Sequence, residues 1–114
     1  MVDTIEQHRL KKRQPPMHRA AIVAELKAHA GEIRKQGVTS LALFGSRARG
    51  DERQDSDLDV LIGYDAERPF TLYDLVRVER LLGDLTGLDV HVATRDAFRS
   101  HRLHRVLKDA VDVL

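Results

Sequence analysis

Gly45-Ser46 follows one run of apolar residues, and after ten intervening residues Asp57-Leu58-Asp59 opens another. In a strand, residues two apart project to the same face with α-carbons roughly 6.6 Å apart, so Asp57 and Asp59 can reach one cation from one side. Two hard oxygen donors of this kind suit Mg²⁺. Asp89 lies on a later alternating segment and completes a three-carboxylate site if the strands are neighbours. Gly45 lets the backbone turn tightly and approach a ligand. Ser46, opening a short helical turn, offers its hydroxyl and nearby N–H groups to phosphate oxygens. Arg47 and Arg49 add positive charge beside them. Taken alone, a Gly-Ser pair is most often a turn with a helix cap, and an Asp-x-Asp most often a solvated strand end. Their order at the boundaries of two apolar strands, with a third acid after a helix, favours a phosphate and metal site.

Such residues need elements to hold them. From Met17 to Gln36 the apolar positions Ile22, Leu26, Ala30 and Ile33 recur at helical spacing, with Gly37 as the stop. Val38–Phe44 and Leu58–Gly63 are apolar on both faces, as expected of buried strands in an α/β domain. A helix is predicted from Thr71, with Asp74 three residues on as a capping-box signal and Leu72, Leu75, Val78, Leu82 and Leu85 as its core stripe before Gly87. Leu88–Thr94 alternates, with Leu88, Val90 and Val92 on one face and Asp89 and His91 on the other. A last helix is expected over Asp96–Lys108, and Ala110–Leu114 either extends it or forms an edge strand. Residues 1–17, which include Pro15-Pro16, are read as a basic extension, mobile or loosely docked, and residues 18–114 as the domain.

Composition limits what the domain can be. The chain has 114 residues, 32% charged and 42% hydrophobic, with 19 basic against 18 acidic side chains, which is the balance of one ordinary soluble domain. Without cysteine there is no disulfide, thiolate zinc site or thiol nucleophile, and a cytoplasmic location is expected. No apolar run approaches the ~20 residues of a membrane span, so no membrane association is expected. The near-neutral total hides an uneven distribution. No acid occurs from Gln7 to Ala24, and Arg95, Arg99, Arg102, Arg105 and Lys108 form a second basic stretch. Acids gather instead at Asp51, Glu52, Asp55, Asp57 and Asp59, as a solvated loop or as a site that a cation neutralises. With two tyrosines, three phenylalanines and no tryptophan, the basic stretches lack interleaved aromatics for base stacking, and no direct nucleic-acid binding is expected.

The stretch Leu41-Ala42-Leu43-Phe44-Gly45-Ser46-Arg47-Ala48-Arg49-Gly50, continuing through Asp55-Ser56-Asp57-Leu58-Asp59-Val60-Leu61, resembles the signature of the minimal nucleotidyltransferases of the polymerase-β-like superfamily. The resemblance runs from about His18 to the C-terminus and includes the Leu88-Asp89-Val90 segment, where that family carries its third carboxylate. It implies a single small α/β domain with a mixed sheet flanked by helices, Mg²⁺, ATP as substrate, and transfer of AMP. By the same resemblance Asp57, Asp59 and Asp89 are catalytic and hold the metal, Asp89 also lowers the pKa of the attacking hydroxyl, and Gly45, Ser46 and Arg49 bind the nucleoside triphosphate. Members this short are commonly MntA-like antitoxins of HEPN toxin–antitoxin pairs, some of which adenylylate a tyrosine of the HEPN ribonuclease toxin. A hetero-oligomer with such a toxin is therefore expected. The alternatives are an antitoxin acting by stoichiometric binding, and a nucleotidyltransferase acting on a small molecule or an RNA end, for which the chain offers no second domain.

The remaining polar residues have plainer readings. His101 and His104, three apart on the last helix, are more readily solvated than metal-bound. His91, two residues past Asp89, is either structural or a nucleotide or outer contact of the metal site. Tyr64 and Tyr73 are expected to pack. Arg95, Arg99 and Arg102 form a basic face able to steer an acidic partner.

Overall fold

A computed structural model describes residues 18–114, so the expected N-terminal extension lies outside the described residues. Four strands, β1 (Val38–Phe44), β2 (Leu58–Tyr64), β3 (Val90–Thr94) and β4 (Val111–Asp112), form one sheet in the order β3-β2-β1-β4. β1 pairs antiparallel with β2 and β4, whereas β2 and β3 are parallel. The parallel pair needs a crossover, supplied by α4 (Leu72–Thr86). The other helices are α1 (Arg19–Ala28), α2 (Ala30–Lys35), the single turn α3 (Gly45–Arg49) and α5 (Ser100–Asp109). This is the mixed α/β sheet expected from the sequence.

One sheet face carries the core. Leu41 and Leu43 of β1 and Leu58, Val60 and Ile62 of β2 cluster with Ile22 and Leu26 of α1, Ile33 of α2, and Val78 and Leu82 of α4. Ala42 and Leu61, opposite each other in the β1–β2 register, are buried as well, so both strands are apolar on two faces as their sequences predict. α4 begins with the predicted capping box: Asp74 N–H donates to the Thr71 hydroxyl, and Thr71 N–H donates to the Asp74 carboxylate at 2.7 Å.

Several expectations need correction. The helix expected over Met17–Gln36 is two helices. His29 leaves helical geometry at φ −110° and ψ 23°, its N–H closes back on Leu26 O at 3.1 Å, and its imidazole meets Glu25 and Glu32 on either side. Gly31 just beyond contributes little to keeping one helix continuous. Leu72 is not in the α4 stripe but 75% exposed, because six residues before Val78 it lies about 120° off that face. Tyr73 is 79% exposed instead of packed, whereas Tyr64 stacks on Phe70 with ring centroids 4.8 Å apart. The last helix is interrupted by a 3₁₀ turn at Arg95–Ala97 and by extended Phe98, whose ring meets Phe44 edge-on at 6.0 Å. Of the two options for Ala110–Leu114 the edge strand holds, with the N–H groups of Val113 and Leu114 donating to Leu41 O.

Candidate active site

β1 ends where β2 and β3 begin, so three chain ends meet at one edge of the sheet. Phe44 is opposite Asp59 across β1–β2, and Asp59 is beside His91 across β2–β3. Leu58 N–H donates to Asp89 O at 2.8 Å, which carries the ladder one step further and sets Asp57 beside Asp89. Alternation then places Asp57, Asp59, Asp89 and His91 on one face, opposite the core residues Leu58, Val60 and Val92. The strand adjacency that the sequence left open is therefore present. Asp89 stands one residue ahead of β3 rather than within it. Asp57 and Asp89 both line a cavity of about 160 Å³ between the two strand heads.

Gly45 closes the edge from the β1 side. Its φ of 74° lies in the left-handed region, and a Cβ built there would strike Oδ2 of Asp59 and come within 3.2 Å of its Cγ. Only glycine lets the turn from β1 into α3 pass this close to the carboxylate. Within α3 the Ser46 carbonyl accepts from the N–H groups of Gly50 and Asp51, which ends the turn after Arg49. Arg19 of α1 donates to Ala48 O at 2.6 Å and fixes α3 from behind.

The two arginines of α3 have different fates. Arg49 is exposed beside the edge, with Nε 3.2 Å from Asp51. Arg47 does not add charge to the Gly45-Ser46 turn. It is 1% exposed and donates instead to the carbonyls of Ser56 and Gln54.

Burial holds the Asp59 carboxyl above its ordinary value of 3.8. The charge of Asp57 pushes the same way, while His91 and, more weakly, Arg49 oppose it. Two carboxylates on one face at a sheet edge, one of them held above its ordinary value partly by the charge of the other, are a donor set that a hard divalent cation satisfies. As they stand, no three His, Asp or Glu side chains among the described residues converge closely enough to enclose an ion. The fit to a metal therefore rests on donor chemistry and on the shared face. His101 and His104 are exposed on α5 and belong to no such cluster.

Two features escaped the sequence reading. One is the buried role of Arg47. The other is a cavity of about 360 Å³ between Gly45 and α5, walled in part by Arg102 and Arg105. Its only trace in the sequence is the three-residue spacing of Arg99, Arg102 and Arg105.

A family model described as a nucleotidyltransferase domain matches residues 23–113, which include every residue of this edge. The chain belongs to the nucleotidyltransferase family. This nucleotidyltransferase is 35% identical over 89 residues to the protein adenylyltransferase MntA of Thermococcus cleftensis, a match spanning 77% of this chain and 88% of that one. A solved minimal nucleotidyltransferase is 30% identical to it, with a TM-score of 0.71 over 83% of this chain and 95% of the other. A toxin–antitoxin crystal structure with AMP-PNP shares the fold at a TM-score of 0.61 and 13% identity, over 77% of this chain and 72% of that one. Among the described residues of this nucleotidyltransferase, no helix is long and apolar enough to cross a membrane.

Proposed function

We propose that this nucleotidyltransferase is an antitoxin that transfers AMP from ATP to a tyrosine hydroxyl of a cognate HEPN-type ribonuclease toxin and thereby neutralises it. The observation that carries the reading is the Gly45 turn packed so close to the Asp59 carboxylate that a Cβ would collide with it, which brings the Gly-Ser turn and the carboxylate edge together. The relationship to a named protein adenylyltransferase supports a protein as acceptor. The fold shared with a toxin–antitoxin structure is in keeping with a toxin as that protein. In this reading residues 18–114 are the catalytic unit and residues 1–17 an extension outside it.

Gly45 and Ser46 hold the triphosphate through backbone N–H groups and the Ser46 hydroxyl, and Arg49 offsets its charge. Asp57 and Asp59, with Asp89, are the residues that would hold Mg²⁺, which supplies charge neutralisation at the phosphates and acidifies the acceptor hydroxyl. The acceptor oxygen bonds to the α-phosphorus, the bond from that phosphorus to the bridging oxygen breaks, and pyrophosphate leaves. The hydroxyl proton passes to Asp89. Positioning and charge neutralisation account for the rate, and no protein nucleophile is needed.

Intact-mass spectrometry of the cognate toxin, incubated with this chain and Mg²⁺-ATP, tests the reading. The toxin is expected to gain whole AMP units with wild type and none with Asp57→Asn/Asp59→Asn. Neutralisation by both proteins with no added mass would replace catalysis by stoichiometric binding.

A further inference from the structure

The cavity of about 360 Å³ beside the Gly45 turn has three guanidinium side chains in its walls, Arg49, Arg102 and Arg105, against one carboxylate, Asp109. Arg49 is partly engaged by Asp51. Among the described residues neither Arg102 nor Arg105 has a carboxylate within ion-pair distance. Arg102 is held by a ring instead. Its guanidinium lies 5.4 Å over Phe98, and Phe98 packs edge-on against Phe44, the residue before Gly45 and the register partner of Asp59. Aromatic contacts thus fix this part of α5 to the carboxylate edge.

A guanidinium over a ring face is attracted to the ring without using its N–H donors, which stay available to oxygen acceptors. Like charges three residues apart on a helix destabilise it, and a polyanion bound between them removes that cost. The cavity is small, concave and rich in planar donors, and Gly45 is one of its walls. These features select successive phosphate groups over a lone carboxylate, because the guanidinium fork matches phosphate oxygens and several cations face one space.

We propose that Arg102 and Arg105 of α5 form a second wall of the triphosphate site, holding the β- and γ-phosphates that depart as pyrophosphate. The assignment rests on the reading of Gly45 and Ser46 as the triphosphate turn. It gives the C-terminal helix a part in substrate binding, and the break at Phe98 becomes the feature that aims α5 at the site.

Binding of inorganic tripolyphosphate, ATP and AMP to the full chain with Mg²⁺ tests this by calorimetry, using Arg102→Gln, Arg105→Gln and, as a control outside the cavity walls, Lys108→Gln. Each arginine variant is expected to weaken tripolyphosphate and ATP about tenfold, the loss of one charge-assisted contact, with AMP and the Lys108→Gln protein little changed. Among the described residues Arg105 has no ring contact, so Arg105→Gln remains decisive even if Arg102→Gln unsettles α5. Wild-type affinity in Arg105→Gln, an equal loss in Lys108→Gln, or an equal loss for AMP would overturn the proposal. If Ser46→Ala weakens ATP while Arg105→Gln does not, the α5 wall fails and the triphosphate turn stands. If wild type binds neither ATP nor tripolyphosphate, both fall.

Discussion

The guanidinium of Arg47, next to Ser46, donates twice to the carbonyl of Ser56, next to Asp57, through Nε at 3.0 Å and Nη2 at 2.8 Å. Nη2 also reaches the carbonyl of Gln54 at 3.5 Å. The ten residues between the Gly-Ser and Asp-x-Asp pairs are thus clamped at both ends by a side chain from within the spacer itself. Asp51 and Asp55 of the spacer stay in solvent, while the carbonyls of Gln54 and Ser56 turn inward to the buried guanidinium. This fixes the separation of the Gly45-Ser46 turn from the first carboxylate.

Arg47→Met is therefore expected to cost stability, because it leaves inward-facing carbonyls without their donor, a loss of about 1–3 kcal/mol. Hydrogen exchange over residues 50–57 should rise in the folded protein, and transfer activity should fall with it. Arg47→Lys should rescue little, since a point charge cannot reproduce the fork. Wild-type exchange protection over the spacer in Arg47→Met would show that other contacts hold the loop.

Gly45→Ala faces two obstacles, a left-handed φ of 74° and a collision with Asp59 Oδ2. The backbone alone is expected to cost about 1–2 kcal/mol. The larger effect falls on chemistry, because relief of the collision moves the Asp59 carboxylate. Transfer activity is expected to drop by at least about a hundredfold, a scale known for small misplacements of reacting groups. Gly50→Ala is the comparison. It also replaces a left-handed glycine, at φ 83°, but meets no atom within 4 Å, so it should lower the melting temperature with a much smaller loss of rate.

Asp59 makes stability depend on pH in a stated direction. Its folded-state carboxyl is raised above 3.8, chiefly by burial, so the folded state binds the proton more tightly than the unfolded state. Stability from this group is greatest below 3.8 and falls as pH rises through the raised value, where the half-buried carboxylate must ionise. Metal-free Asp59→Asn should consequently melt higher than wild type at pH 7, with the difference shrinking as pH falls toward 3.8. A melting temperature at or below wild type at pH 7 would contradict it. The same variant should be inactive in transfer.

How much of this was legible follows from where each signal resides. β1 and β2 are apolar on both faces, and Thr71 with Asp74 spells out a local cap, so these elements could be read from short windows. The alternation around Asp89 and His91 likewise gave their common face. The breaks at His29 and Phe98 could not be read, because Phe98 is set by a ring 54 positions earlier, Phe44, and His29 sits amid a periodicity that continues past it. Arg47 misled for a different reason. An arginine next to a Gly-Ser turn is assigned to that turn, whereas its burial depends on backbone carbonyls, which every residue has and no pattern marks. The arginines of α5 gained meaning only once the Phe98 break had aimed that helix at Gly45.

Arg95 and Arg99 are exposed at the start of the α5 region, outside the walls of the Gly45 cavity. If the acceptor is a protein, as proposed, these charges act on its approach rather than on the phosphates. Attraction between exposed charges extends about 10 Å at 0.1 M salt and about 3 Å at 1 M, so an acidic partner surface would be steered at low salt and not at high salt. The association rate of the toxin is expected to fall by at least about tenfold across that range, with a much smaller change in dissociation. Arg95→Glu/Arg99→Glu should lower the low-salt rate toward the high-salt value and flatten its salt dependence. It should leave tripolyphosphate binding near wild type, because neither residue lines the cavity. Stopped-flow association at several salt concentrations separates the cases: a rate indifferent to both salt and charge reversal would place the toxin on another face of the molecule.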